Sequence, residues 1–197
     1  SPGCGKTAMS LQWAQKVAIE ENRRVDLILR ESGGDLSTNT DRMIMSMVGR
    51  DYKRGNPLTE EEERRIRHNA EILEKNLHIT EGPSNKAELI AYAKYASDNG
   101  SRLIIYDCLN QGDWGGDGLY ENFRNGSKAM VHARDAMNGR TVMAFCHHLD
   151  EEGKVRFAQN DLKADLDYGI LLKKSTAGED HITMEAWKAR NDPRFPT

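Results

Sequence analysis

An α/β fold, with a central, mainly parallel sheet flanked by helices and closed by a C-terminal β-hairpin, follows from three features of the sequence. Short apolar runs of strand length alternate with longer segments of helical period, the pattern of parallel strands joined by crossover helices. Runs such as RLIIYD and TVMAFC are apolar enough to be strands buried in a core. The last two strand-like runs, near 168–173 and 181–187, flank a turn at Ala177-Gly178 and read as a hairpin.

The elements follow in order. Residues Thr7 to Ala18 predict a helix with Ala8, Leu11, Ala14 and Ala18 on one stripe, and Val25 to Arg30 (VDLILR) a short strand. Residues 36–50 are Met-rich and helical in pattern, with Met43, Met47 and Val48 roughly a turn apart. Thr59 with Glu62 has the spacing of a capping box, in which hydroxyl and carboxylate satisfy the orphan N–H groups of a helix start. In that helix Glu60–Arg64 and Glu61–Arg65 are expected to pair, and Ile66, Ala70 and Leu73 to form the buried stripe. The acidic run 60–63 is then a solvated helix start, not a metal site. Leu77 to Thr80 predicts a strand, Ser84 or Asn85 the cap of a helix to about Ser97, and Arg102 to Asp107 a buried strand ending in an acid. A glycine-rich loop (111–119), a helix from about Tyr120 to Met137 and the strand Thr141 to Cys146 complete the series before the hairpin.

The chain has 197 residues, which suits one domain over its whole length, 1–197. Charged residues make up 30% and hydrophobic ones 38%, a folded balance that excludes a disordered chain. A net charge of −3 excludes a whole-molecule grip on nucleic acid but leaves room for a local basic loop. Three cysteines (Cys4, Cys108 and Cys146), widely spaced and without a CxxC pair, give no disulfide framework or zinc site, so a cytoplasmic location is expected. No apolar run approaches the roughly 20 residues of a membrane span, and no membrane partner is expected.

The first eight residues, Ser1, Pro2, Gly3, Cys4, Gly5, Lys6, Thr7 and Ala8, carry the chemistry. The pattern G-x-x-x-x-G-K-[ST] ends in Gly5-Lys6-Thr7, with its leading glycine one position before Ser1. The strand that should precede the motif is absent, so the chain is expected to be a piece of a longer protein. In such a loop, glycines turn successive N–H groups inward as an anion nest and the following helix adds its positive end. Lys6 would reach the β- and γ-phosphates of ATP and the Thr7 hydroxyl would ligate Mg²⁺. Three strand ends add to this. Asp107 can hold Mg²⁺ with Thr7, Glu31 can polarise the attacking water, and His147 can contact the γ-phosphate. A metal site of Cys146, His147 and His148 is disfavoured, since contiguous residues seldom make one without spaced partners, and His148 reads as a surface histidine. Spacing alone makes Lys188 and Arg190, after the last strand, an exposed basic turn.

Together these residues resemble the C-terminal motor domain of DnaB-type and phage replicative helicases, which are RecA-like hexamers. SPGCGKTA is similar to their Walker A motif, LILRE to the strand ending in their catalytic glutamate, and GNPLTEEEERRI to a turn followed by an acidic helix. LIIYDCLNQ resembles their Walker B strand, although Cys108-Leu109-Asn110 stands where Tyr-Leu-Gln is usual. VMAFCHHLD resembles the strand ending in a phosphate sensor, and KARNDP their K-x-R-N-G-P segment. The resemblance implies a RecA-like P-loop NTPase that hydrolyses ATP at the subunit interfaces of a homo-hexameric ring and translocates on single-stranded DNA. By the same resemblance Arg190 is an arginine finger acting on a neighbour's ATP, with Lys188 its companion. The loop after His147 is short and lacks the usual arginine-glutamate-serine-glycine signature. It and the loop 111–119 would face the pore, with Lys154 and Arg156 the plain contacts to DNA phosphates. Two other readings share these motifs: a recombinase or clock-type ATPase of the same fold, and a non-unwinding module that uses ATP occupancy as an assembly or helicase-loading switch.

Overall fold

The computed structural model of the chain describes residues 5–30, 36–53, 55–137, 139–146, 166–174 and 182–189. Helix α1 (Lys6–Glu20) leads into strand β1 (Arg24–Leu29), and helices α2 (Leu36–Val48) and α3 (Glu60–Asn76) precede β2 (Leu77–Thr80). Helix α4 (Lys86–Asp98) leads to β3 (Ser101–Asp107), α5 (Leu119–Ala136) to β4 (Val142–Phe145), and β5 (Tyr168–Lys174) pairs with β6 (Ile182–Ala189).

Strands β1 to β4 form one sheet in the order β2-β1-β3-β4. Every pairing in it is parallel, with Leu29 opposite Asp107 and Tyr106 opposite Phe145, so the four C-terminal ends lie along one edge. β5 and β6 form a separate antiparallel ladder with an irregularity at Gly169/Ile170, and the turn expected at Ala177-Gly178 lies outside the described residues.

Successive side chains of a strand point to opposite faces, and the core splits accordingly. On one face Val25, Leu27, Leu103 and Ile105 pack against Leu11, Ala14 and Ala18 of α1 and Leu73 of α3, with Met43 and Met47 of α2 partly buried beside them. On the other, Ile28, Ile104 and Tyr106 pack against Leu89, Ala93 and Ala96 of α4 and Phe123, Ala129, Met130 and Ala133 of α5. Helices thus cover both faces, which is why these strands are apolar along their length. Among the described residues, no helix is long and apolar enough to cross a membrane.

Three local expectations change. The capping box forms: Thr59 Oγ1 accepts from the Glu62 amide, and Glu62 accepts from the Thr59 amide. Glu60–Arg64 and Glu61–Arg65, however, are not among the ion pairs of the described residues. Instead Arg50 reaches across from the end of α2 to Glu62 at 2.6 Å, and Arg67 pairs with Glu63. Ala70 is exposed, because α3 is buried mainly at its C-terminal end, through Leu73 and Asn76. Asn76 donates to the Ala18 carbonyl at 3.0 Å and to Asn22 at 2.8 Å, locking α3 to the turn between α1 and β1. Finally, the glycine-rich segment is not open loop throughout. A 3-10 turn, Leu109–Gln111, leads into it, and within it Trp114 is a core residue only 6% exposed.

Candidate functional site

The site begins at the start of α1. Gly5 is the N-cap residue, with φ 80° and ψ 13°, a left-handed conformation that L side chains resist. No side chain caps this helix, in contrast to α3 and α4, which Thr59 and Asn85 cap. Lys6 is buried in the first turn at 9% exposure, and Thr7 and Ala8 follow in the same turn, half-buried. Ser1, Pro2, Gly3 and Cys4 lie outside the described residues.

Asp107 is the last residue of β3 and fully buried. By strand alternation its side chain falls on the face of Leu103 and Ile105, which is the α1 face. Cys146, just beyond β4, shares that face, since Ala144 two residues earlier packs there. The Ser10 hydroxyl, one turn into α1, hydrogen-bonds the Cys146 thiol at 3.2 Å. Burial first, and then the charge of Asp107, push the Cys146 thiol up to about 12, with Ser10 and Lys6 opposing. A thiol so raised is neutral near pH 7, so it packs and hydrogen-bonds rather than acting as a nucleophile or a soft metal ligand. The Ser10–Cys146 contact sets the first turns of α1 against the end of β4, beside Asp107 at the end of β3 by the strand register. The N-terminus of α1 and the ends of β3 and β4 therefore converge, bringing an ammonium, a carboxylate and an uncapped helix end together. That arrangement suits a multiply charged anion with a hard divalent cation.

The opposite face of the same edge is a hydrogen-bonded frame. The Tyr106 hydroxyl donates to the Pro83 carbonyl at 3.1 Å, and Trp114 Nε1 donates to the Leu109 carbonyl at 2.8 Å. The two rings lie 5.5 Å apart at a tilt of 55°. Gly126 of α5 lets Trp114 in, because a Cβ there would stand 2.6 Å from its ring. Backbone bonds tie the ends together: Leu109 N–H to the Cys146 carbonyl at 2.9 Å, Asp113 N–H to the Ser84 carbonyl at 2.7 Å, and Arg30 N–H to the Asp107 carbonyl at 2.6 Å. The Asp107–Cys108 peptide is cis.

Of the other residues singled out in the sequence, Glu31, His147, Lys154, Arg156 and Arg190 lie outside the described residues. Lys188 has its backbone in β6, opposite Gly169. Ser10, Cys146 and Arg30 were not anticipated. Their partners are a thiol and loop carbonyls, which leave no spacing in the sequence. The described residues hold no cluster of three or more metal-ligating His, Cys, Asp or Glu side chains.

No protein-family model matches the sequence, and no curated protein matches it. Among solved structures, the chain is similar to a DnaB-like replicative helicase whose structure describes its interactions with primase, with a TM-score of 0.76 and 16% sequence identity. That match covers 98% of this chain and 51% of the helicase chain, so this chain spans about half the length of the protein it resembles. The likeness is one of architecture: the chain has the RecA-like α/β fold found in a DnaB-like helicase.

Proposed function

We propose that the chain binds ATP with Mg²⁺ at the start of α1 and hydrolyses it as the motor domain of a ring-shaped replicative DNA helicase. The observation that carries the reading is the convergence of Lys6 and the Gly5-capped start of α1 with Asp107, on one face of the sheet at its C-terminal edge. In open α/β sheets that edge is where ligands bind. A RecA-like fold shared with a DnaB-like replicative helicase supports the reading.

Ser1 to Ala8 would wrap the phosphates with backbone N–H groups, and Lys6 would neutralise the β- and γ-oxygens. The hydroxyl of Thr7 and the carboxylate of Asp107 are hard oxygen donors, and one or two such groups plus phosphate oxygens are what Mg²⁺ takes in NTPases. Bound there, the ion would supply charge neutralisation at the phosphoryl oxygens. Glu31 would orient and deprotonate the attacking water, and His147 would report on the γ-phosphate. Arg190, with Lys188, would reach the ATP of a neighbouring subunit, which requires a ring with head-to-tail interfaces. Lys154 and Arg156 would meet the backbone of single-stranded DNA.

The test is ATP turnover with and without single-stranded DNA, beside Lys6→Ala and Arg190→Ala. Turnover that rises with DNA and is lost in both variants supports a helicase motor. Turnover indifferent to DNA or to Arg190→Ala sinks that mechanism. One observation favours the assembly-switch reading as the alternative. No lysine or arginine occurs between 103 and 123, and Asp113, Asp117 and Glu121 are exposed there. A loop of that charge offers DNA phosphates no partner, and the switch reading expects tight ATP binding with negligible turnover.

A further inference from the structure

We propose that Arg30 is a positioning residue for hydrolysis at this site, fixing the end of β1 against Asp107 by holding the loops on either side. The proposal rests on the nucleotide-site reading above. Arg30 follows β1 directly, and its amide donates to the Asp107 carbonyl at 2.6 Å. Its guanidinium donates through Nη1 to the Glu81 carbonyl at 2.8 Å and through Nη2 to the Gln111 carbonyl at 3.4 Å. Glu81 lies just beyond β2 and Gln111 closes the 3-10 turn beyond β3. One side chain therefore spans the ends of the two strands that flank β1.

Two features separate this role from catalysis and from ordinary stabilisation. By strand alternation Arg30 falls on the face of Ile28, the α4 face, whereas Asp107 faces α1. The Arg30 charge is accordingly felt at the Tyr106 hydroxyl, on the α4 side. Arg30 thus acts on the site through the main chain, without touching the phosphates. Its bonding also gives this half-buried cation no charge partner. Among the described residues it has two neutral carbonyl acceptors and no carboxylate, and its buried Nε has no acceptor. Guanidinium geometry, two donors a fixed distance apart, explains the residue better than stability does. A misplacement of the attacking or metal-holding groups by an ångström slows chemistry while leaving phosphate binding nearly intact.

The experiment compares steady-state ATP turnover, affinity for a fluorescent ATP analogue and thermal melting for the unsubstituted protein, Arg30→Met, Arg30→Lys and Arg102→Met. Arg102 donates to the Arg140 carbonyl at 3.1 Å and so makes the same kind of contact at the far edge of the sheet. Arg30→Met is expected to lower kcat by about tenfold or more while analogue affinity stays within about twofold. Arg30→Lys, which can hold one carbonyl but not both, is expected to recover part of the rate, and Arg102→Met to change neither quantity. The proposal is overturned if kcat, affinity and melting temperature fall together in Arg30→Met, or if Lys6-dependent turnover persists undiminished in it. Absence of Lys6-dependent turnover in the unsubstituted protein removes the site reading, and the Arg30 role with it.

Discussion

Asp26 and Asp107 are both fully buried on neighbouring strands, at opposite ends of the sheet. Asp26 lies near the start of β1, where Arg24 holds it through two hydrogen bonds of 2.9 Å and the Tyr92 hydroxyl donates at 2.8 Å. Burial alone would raise its pKa, but the hydrogen bonds from Arg24 and Tyr92 outweigh burial and hold it below the usual carboxylate value. Removing the carboxylate leaves Arg24, whose side chain is 20% exposed, and the Tyr92 hydroxyl without their buried acceptor, so Asp26→Asn is expected to cost about 1–3 kcal/mol in urea unfolding. A loss under about 1 kcal/mol would show that the pair is not a stabilising one. Because the folded pKa is depressed, this contribution is present above the ordinary aspartate range and is lost as pH falls below it. Asp107 lies at the other end of the sheet, facing α1. Asp107→Asn keeps size and burial, so it is expected to spare folding and abolish Mg²⁺-dependent turnover. Retained turnover would remove Asp107 from the site. Both acids stand in apolar strands, VDLILR and RLIIYD, and only the ending position of the second marked it in the sequence.

At the level of elements, α3 shows how much a local signal can specify. The Thr59/Glu62 spacing predicted the helix start, and the reciprocal hydrogen bonds form. What the spacing could not show is that Arg50, twelve residues earlier, adds a third partner to Glu62 and also holds the Asn56 and Pro57 carbonyls. Arg50 first, and then the Thr59 amide, lower the Glu62 carboxyl to about 2. The stability this carboxylate lends is therefore present above about pH 4.5 and lost as pH falls towards 2. Thr59→Ala is expected to lower stability by about 1 kcal/mol, and Arg50→Met to shift the acid unfolding midpoint upward. An unchanged acid midpoint in Arg50→Met would show that Arg50 does not tune Glu62. Helix α5 carries the converse lesson. Gly126 reads in the sequence as a weak helix position, but a Cβ there would meet Trp114 at 2.6 Å. Gly126→Ala is expected to destabilise by about 1–3 kcal/mol despite its better helix propensity. Stabilisation by that change would show that Trp114 moves freely.

For the whole molecule, the buried Asp26 ion pair and the proposed nucleotide site lie at opposite edges of one sheet. The Asp26 cluster ties α4 to the start of β1, while the C-terminal edge gathers the start of α1, Asp107 and the Arg30 frame. A ligand that binds the folded state raises its melting temperature by mass action. Mg²⁺ with ATP is therefore expected to raise the melting temperature, with EDTA removing part of the gain and Lys6→Ala nearly all of it. A shift of equal size in Lys6→Ala would place nucleotide elsewhere. The sequence by itself determined the element order, the parallel sheet, the α3 cap and the motif Gly5-Lys6-Thr7. Those features rest on hydrophobic period, strand length and local backbone chemistry, which act within a few residues. Only the tertiary structure decided that Asp107 faces α1 rather than α4, that Ser10 meets Cys146, that Trp114 is core and that Arg30 joins two loops. Those contacts join residues far apart in the chain, and several are made to carbonyl oxygens that every residue possesses. No residue pattern marks such partners, and they exist only once the sheet has brought its strand ends to one edge.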